Sequence, residues 1–594
     1  MKTYHKSSFS VFLLCAALFF TGCSDFFDPQ TNDALPGDQY IGTQTEVYTG
    51  YLGVITKLQA VGDKQIFLTE TRGSLIEPTP YSVGELIAIY NYDADLSGNS
   101  YADPAPYYEL VIACNDYIDN MRSFRKERPE LVDVERFDAL ISLTLRVKVW
   151  AYLTLAEIYG EALWFDDPMV EIQSLKDTTR FKLMDIEEVV EACINLLDNG
   201  SEATDFVNGT LEFSWYEWLD PETALADSQY RYWDYMTPPY EGLMARLLLW
   251  RGAFKQRAGG SIADVAPYYD KVAQLMLDYF NPIFSEFKSN HYGQRNARTP
   301  GNFSRFYDNV DPHAEEVVSA IIYDYTRNQT NRLLRHFSSE YPNEYLLRPN
   351  LQRVEEMFES NEFNPGAYNE GRTGATCGAR ESGKHYLAKF RPMGSSRRPY
   401  AYQDDVHIYL FRATEYHFYL VEALNQLARF DAADAILNNG IKAEHFDAEG
   451  GKMIKDENGY GTPIPGFKSA NDTWRFTNDW TTEHSGGTVK YPSMGIRGCF
   501  GLSPRTIQRP SLSTETEEAK RGYMKHNDIE MLKEIQLEFA GEGKSYASMI
   551  RCAIRWNDPS IISNLVAPKY GEHAAEMKPV IENQYFVPWD LNIK

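Results

Sequence analysis

"HIYLFRATEYHFYLVEALNQLARFDAADAILNNGI", from His407 to Ile441, is the stretch from which the fold is read. Apolar and aromatic residues recur along it at helical spacing, pause at "ARFD", and resume, so it reads as helix, tight turn, helix. The small residues Ala423 and Ala432 stand near the crossing, where two backbones must approach. "YEGLMARLLLWRGAF" (240–254) and "APYYDKVAQLMLDYF" (266–280) form another such pair across a short Gly-containing connection. "LTLRVKVWAYLTLAEIYG" (143–160) is apolar on most sides, which predicts a buried central helix stopped at Gly160. Together these segments predict an all-α chain: a tetratricopeptide-like superhelical scaffold forming a single globular unit. The repeats are degenerate, and no strict period can be read off.

Between the helices lie long irregular insertions at roughly 201–239, 281–312, 360–404 and 443–528, rich in Gly, Pro, Asn, Asp and aromatic residues. Loops this long in a compact domain are usually functional, so binding is expected there.

Composition bounds the ligand. The chain has 594 residues, 43% of them hydrophobic, enough for a sizeable core. With 58 Lys and Arg against 84 Asp and Glu, its formal charge is -26. No basic stripe is available to displace counterions, which argues against nucleic acid as a partner and favours a neutral or polar ligand.

The N-terminus, "MKTYHKSSFSVFLLCAALFFTGCSDFFDP", has a charged region at Lys2 and Lys6 and an apolar run from Val11 to Phe20. That is a secretory signal, 1–22, and its apolar run is too short to span a bilayer. "FTGC" resembles the bacterial lipobox, with Phe20 where Leu is usual. The resemblance implies that Cys23 is acylated and anchors the chain, each buried methylene contributing ~0.8 kcal/mol. Beyond Cys15 and Cys23, the cysteines are Cys114, Cys193, Cys377, Cys499 and Cys552, an odd number with no C-x-x-C pair. They read as buried thiols, and neither as a disulfide framework nor as a zinc site.

Several motifs, in order along nearly the whole chain, resemble the SusD-like (RagB/SusD) nutrient-uptake lipoproteins of the Bacteroidetes outer membrane. "CSDFFDP" resembles the family's mature start, "LTETRGSLIEPT" (68–79) its Glu-x-Arg-Gly-Asp segment, and "YYELVIACNDYI" the helix that follows. "LRVKVWAYLTLAEIYGEALWF" is similar to its Leu-Arg-Ala … Tyr-Gly helix, and the 410–441 segment to its Arg-x-x-Glu … Ala-Glu-Ala-x-Asn pair. "FAGEGKSYASMIRCAIRWNDPS" resembles the Glu-Gly-Lys/His-Arg helix, retaining Glu542, Gly543, Lys544 and Arg551, and "YFVPWDLNIK" closes the chain as the family does. Ser74, Ser545 and Ser548 depart from the pattern, standing for Asp, Arg and Asp. The sequence divides into an N-terminal SusD-like region, 23–280, and a C-terminal RagB/SusD-like region, 281–594.

The resemblance implies a non-enzymatic protein without a cofactor. It would be lipid-anchored to the outer membrane, face the cell exterior, capture an oligosaccharide and deliver it to a SusC-like TonB-dependent transporter. Two alternatives stay open: a peptide ligand, as some relatives take, and a glycoside hydrolase. For the latter, Glu415 and Glu422 share a helical face, but seven residues separate their backbones by ~10.5 Å, at or beyond the ~6.5–9.5 Å of an inverting pair. With Arg412 they read as ties between adjacent helices. "GEGKS" (541–545) has the end of a phosphate-binding loop without its earlier glycine or preceding strand. "DENGYG" from Asp456 fails the calcium-loop spacing, and no zinc-ligand spacing or nucleophile motif appears.

Aromatic residues make up 14% of the chain, and a sugar ring offers an apolar C–H face to Tyr or Trp. The resemblance puts part of the ligand site just after the Glu-x-Arg-Gly segment, at Arg72 and at Tyr90, Asn91 and Tyr92. The two tyrosines share a face if extended, or else pack a helix end. A second candidate is "WYEWLDPETALADSQYRYWDYMTPPY" (215–240), carrying Trp215, Trp218 and Trp233. Its eight rings read as self-packing of a large loop, as a glycan platform, or as a partner interface.

Overall fold

The computed structural model describes residues 41–132, 134–168, 178–199, 236–285, 317–359, 372–378, 384–390, 402–439, 496 and 516–589. The signal, Cys23, Cys499, Trp215, Trp218, Trp233 and most of the long insertions lie outside the described residues.

The described residues open on α1 (Gln44–Arg72), whose N-terminus is capped by Thr43 accepting from the Glu46 amide. It continues through α2 (Gly84–Tyr90), α3 (Ala105–Glu127) and α4 (Val134–Tyr159). Then come α5 (Ile186–Asn199), α6 (Tyr240–Arg257) and α7 (Ile262–Ser285). The C-terminal half holds α8 (Ala413–Gln426), α9 (Phe430–Asp434), α10 (Glu517–Glu538), α11 (Ser545–Trp556), α12 (Ser560–Val566) and α13 (Ala574–Asn583). Consecutive helices pair: α3 on α4, α6 on α7, α8 on α9. Further stacking of α7 on α8 and α6 on α11 extends the pairs into the tetratricopeptide-like superhelical arrangement expected from the sequence.

Among the described residues, three two-stranded antiparallel ribbons add to this all-α scaffold. They are β1 (Ile76–Pro78) with β5 (Leu347–Pro349), β2 (Glu161–Trp164) with β3 (Lys182–Asp185), and β4 (Val317–Ile321) with β6 (Ile408–Arg412). One of the three, β1 with β5, joins the regions on either side of residue 280, and one hydrophobic core runs through both.

α4 is the predicted central helix, touching α1, α3, α5, α6 and α11. Its stretch Arg136–Tyr159 is long and apolar enough to cross a membrane, but 89% of the apolar window is buried within the fold. It serves as a core helix. The chain leaves it at Gly160 with φ +81°, the left-handed conformation that the terminating glycine was expected to supply. Cys114, Cys193, Cys377 and Cys552 are free and buried, as the spacing implied.

Arg412, Glu415 and Glu422 do tie elements together, each to a different partner. Arg412 ends β6 and reaches Glu538 at 2.7 Å and Glu542 at 2.8 Å. Glu415 meets Lys544 at 2.6 Å and accepts from the Tyr419 hydroxyl at 2.7 Å. Glu422 is gripped by Arg551 and Arg555 of α11, and Arg555 also reaches Asp528 of α10 at 2.9 Å. Burial works against the Glu422 carboxylate, but the two guanidinium groups prevail and hold its pKa down at about 2.

Candidate ligand-binding site

The Glu-x-Arg-Gly segment ends α1, and every polar group in it is turned inward. The Glu70 carboxylate accepts the backbone amides of Gly541 at 2.9 Å and Gly543 at 2.8 Å. Both glycines have positive φ, +81° and +74°, so the "GEGKS" segment forms an amide cradle without a side-chain penalty. The anion it holds is a carboxylate of its own chain. Burial pushes Glu70 up to about 7 against the pull of these amides and of Lys389.

Arg72 is fully buried and donates to the carbonyls of Gln584 and Phe586 near the C-terminus. Lys569 donates to the carbonyls of Thr71 and Gly73, both at 2.7 Å, with its ammonium 4.4 Å from the centre of the Tyr90 ring. Of the two readings of Tyr90 and Tyr92, a shared extended face and the packing of a helix end, the structure has the second. Tyr90 ends α2, and Tyr92 adopts a left-handed φ of +59° that sends its ring into the core. There it lies 3.9 Å under the Arg72 guanidinium, and its hydroxyl donates to the Arg72 carbonyl at 2.6 Å. Arg72 and Tyr92 thus fasten the start of the fold to its end and offer no face to a ligand. Tyr90 is half-buried against Tyr570, and only Asn91 of the four is exposed.

A different face of α1 borders a groove of about 370 Å³. Gln59, Ala60, Asp63 and Lys64 recur at helical spacing on that face, opposite the segment Thr330, Asn331, Arg332 and Arg335. Asp63 fixes the opposite wall: it accepts the Arg332 backbone amide at 2.9 Å and two guanidinium bonds at 3.0 and 3.1 Å. Burial alone would lower the Arg332 pKa, but Asp63 outweighs it and raises it. Arg332 also lies over the rings of Tyr101 and Phe67, at 4.8 and 5.1 Å. Lys64 donates to the carbonyl of Ser100 at 2.9 Å, and burial lowers its pKa.

Behind the groove, the segment Asp404–Val406 anchors the wall. The Asn331 amide donates to the Asp404 carbonyl at 2.9 Å, its side chain to the Val406 carbonyl at 2.6 Å, and Arg335 pairs with Asp404 at 3.1 Å. A pair of exposed rings lies outside the groove lining, held to the 404–406 segment by the Tyr325 amide donating to Asp405 at 3.1 Å. Tyr325 and Tyr402, 40% and 43% exposed, have centroids 6.1 Å apart and planes inclined by 58°. The half-buried Gln59 and Arg332 and the exposed Arg335 of the groove, together with the exposed Tyr325 and Tyr402 faces, offer polar and aromatic groups suited to hydroxyl-rich rings. Sequence reasoning missed these residues because Asp63 and Arg332 lie 269 residues apart. The one local hint was the i, i+4 recurrence of Gln59, Asp63 and of Ala60, Lys64 along α1.

The two carboxylates weighed for glycoside hydrolysis are the ion-paired and buried Glu415 and Glu422 described above.

No family model matches this chain, and no curated protein matches it. Solved structures match it over almost its full length. The SusD homologue from Bacteroides thetaiotaomicron VPI-5482 shares 13% identity over 92% of this chain and 94% of its own, with a TM-score of 0.51. Surface glycan-binding protein A from Bacteroides thetaiotaomicron, solved in complex with laminarihexaose, shares 12% over 89% and 93%, with a TM-score of 0.51. NanU of B. fragilis shares 12% over 90% and 94%, with a TM-score of 0.52. At such identities the likeness is one of backbone architecture, and the chain has the fold of the SusD homologues.

Proposed function

We infer that this protein is a SusD-like binding lipoprotein that captures an oligosaccharide at the cell surface and passes it to a TonB-dependent outer-membrane transporter. The observation that carries the reading is the groove between α1 and the 330–335 segment, together with the exposed Tyr325–Tyr402 ring pair, on a fold shared with a surface glycan-binding protein. Hydroxyls would exchange hydrogen bonds with Gln59 and the arginines while a ring face packs on tyrosine. No covalent step is required.

The remainder of the reading rests on the sequence. Cys23 would carry the acyl anchor and hold the protein on the outer membrane facing the exterior, and a SusC-like barrel would be its partner. Trp215, Trp218 and Trp233 remain candidates for further ligand or partner contacts.

The test is binding of the intact chain to an array of oligosaccharides and to a peptide library, together with a reducing-end assay. Saccharide binding without release of reducing ends supports the reading. Binding confined to peptides moves it to the peptide alternative, and turnover of the bound saccharide moves it to a hydrolase.

A further inference from the structure

A second, much smaller cavity, of about 20 Å³, lies where α1, α4, β6, α6, α8 and α11 converge, and none of the residues lining it is exposed. Ile66, Trp150 and Leu410 close part of it. The polar groups that reach it are Gln65, Arg246, Glu415, Lys544, Ser548 and Arg551. A single water needs ~10–15 Å³, so the space admits one water and no organic molecule.

The lining keeps hydrogen-bonding capacity. Arg246 gives Nε and Nη2 to Glu157, and Arg551 gives the same two nitrogens to Glu422, which leaves Nη1 of each without a bond among the described residues. Neither Nη1 belongs to the sealed, unsatisfied atoms of the interior, although the two residues are only 7% and 2% exposed. A free polar atom of a buried residue escapes sealing only by facing open space, and the space that both arginines line is this cavity. Lys544 donates to the Leu410 carbonyl at 2.8 Å and to Glu415 at 2.6 Å, and its third N–H is left over.

Charge around the cavity is matched pair by pair: Arg246 with Glu157, Arg551 with Glu422, Lys544 with Glu415. A bound anion would have no surplus positive charge to meet. A neutral molecule that both donates and accepts suits leftover N–H donors beside a hydroxyl and a carboxylate.

We propose that the cavity holds one structural water, which accepts from Lys544 and from a free guanidinium edge, donates to Ser548 and Glu415, and so joins α11 to α6 and α8. The site is independent of the glycan-capture reading.

The experiment is a high-resolution crystal structure of the intact chain, grown with chloride and again with bromide in its place, together with melting of two variants. One density peak is expected at about 2.7–3.2 Å from at least three of the named groups, with no anomalous signal from bromide. Ser548→Ala removes one partner and leaves room for the water. Ser548→Val fills the space with methyl groups and strands the N–H donors, so it should melt about 1–3 °C below Ser548→Ala. A dry cavity predicts the reverse order, because filling a void restores packing. The proposal is overturned by a cavity without density, by a bromide peak, or by a Ser548→Val protein as stable as Ser548→Ala or more so.

Discussion

Glu422 and Arg551, 129 residues apart in sequence, meet in the interior through two parallel hydrogen bonds of 2.9 and 2.6 Å. The pair joins α8 to α11, and its geometry is the bidentate fork that best repays the cost of dehydrating two charges. Removing one partner leaves the other charged and buried. Glu422→Ala is therefore expected to lower stability by about 3–5 kcal/mol in urea denaturation, far more than an exposed glutamate would.

The same carboxylate makes the protein acid-sensitive. Its folded pKa, about 2, lies below the ordinary 4.5, so its contribution is fully present above pH 4.5 and is lost as pH falls toward 2. His336, buried under Tyr101 and beside Arg332, acts earlier: burial holds its pKa down at about 3 against an ordinary 6.5. The unfolded chain takes up that proton first, so stability declines as pH drops through 6.5 toward 3. Melting temperature against pH should fall less steeply over that window in His336→Gln than in the parent.

Glu70 has the opposite sign. Its folded pKa is raised from 4.5 to about 7, so its contribution is fully present below pH 4.5 and is lost as pH rises through 7. Glu70→Gln cannot ionise and should flatten this alkaline-side decline. Denaturation midpoints taken on either side of neutrality check it, and an unchanged slope would remove Glu70 as its source.

Tyr92 and the Tyr325–Tyr402 pair should separate stability from binding. Tyr92→Ala empties a fully buried site and is expected to cost about 3–5 kcal/mol of stability. Tyr325→Ala and Tyr402→Ala remove half-exposed rings. They should leave the melting temperature within a few degrees and weaken saccharide affinity about five- to thirtyfold, as loss of a contact worth ~1–2 kcal/mol does.

Cys23→Ala should release the protein from the membrane fraction of its native cell. Retention there after a high-salt wash would refute acylation at that position.

The sequence by itself determined the helical pairs, except that Ile408–Arg412, read as the start of a helix, forms β6 through its pairing with Val317–Ile321; it also determined the central helix and its stop at Gly160, the four described buried cysteines, and the tying role of Arg412, Glu415 and Glu422. Each follows from local periodicity, from backbone chemistry, or from charges placed on an apolar face. α1 escaped notice although it is the longest described helix. Glycines at 50, 53 and 62 dilute its pattern, and packing on α3 and α4 supplies what intrinsic propensity lacks. Spacing could not decide which way Tyr90 and Tyr92 point, because one left-handed residue overrides the alternation of an extended strand. The groove was decided only by tertiary structure. Its walls come from residues 59–64 and 330–335, and their meeting depends on the Asp63–Arg332 pair and on the anchoring of Asn331 to the 404–406 segment. Contacts between residues so far apart in sequence leave no periodic trace in the chain.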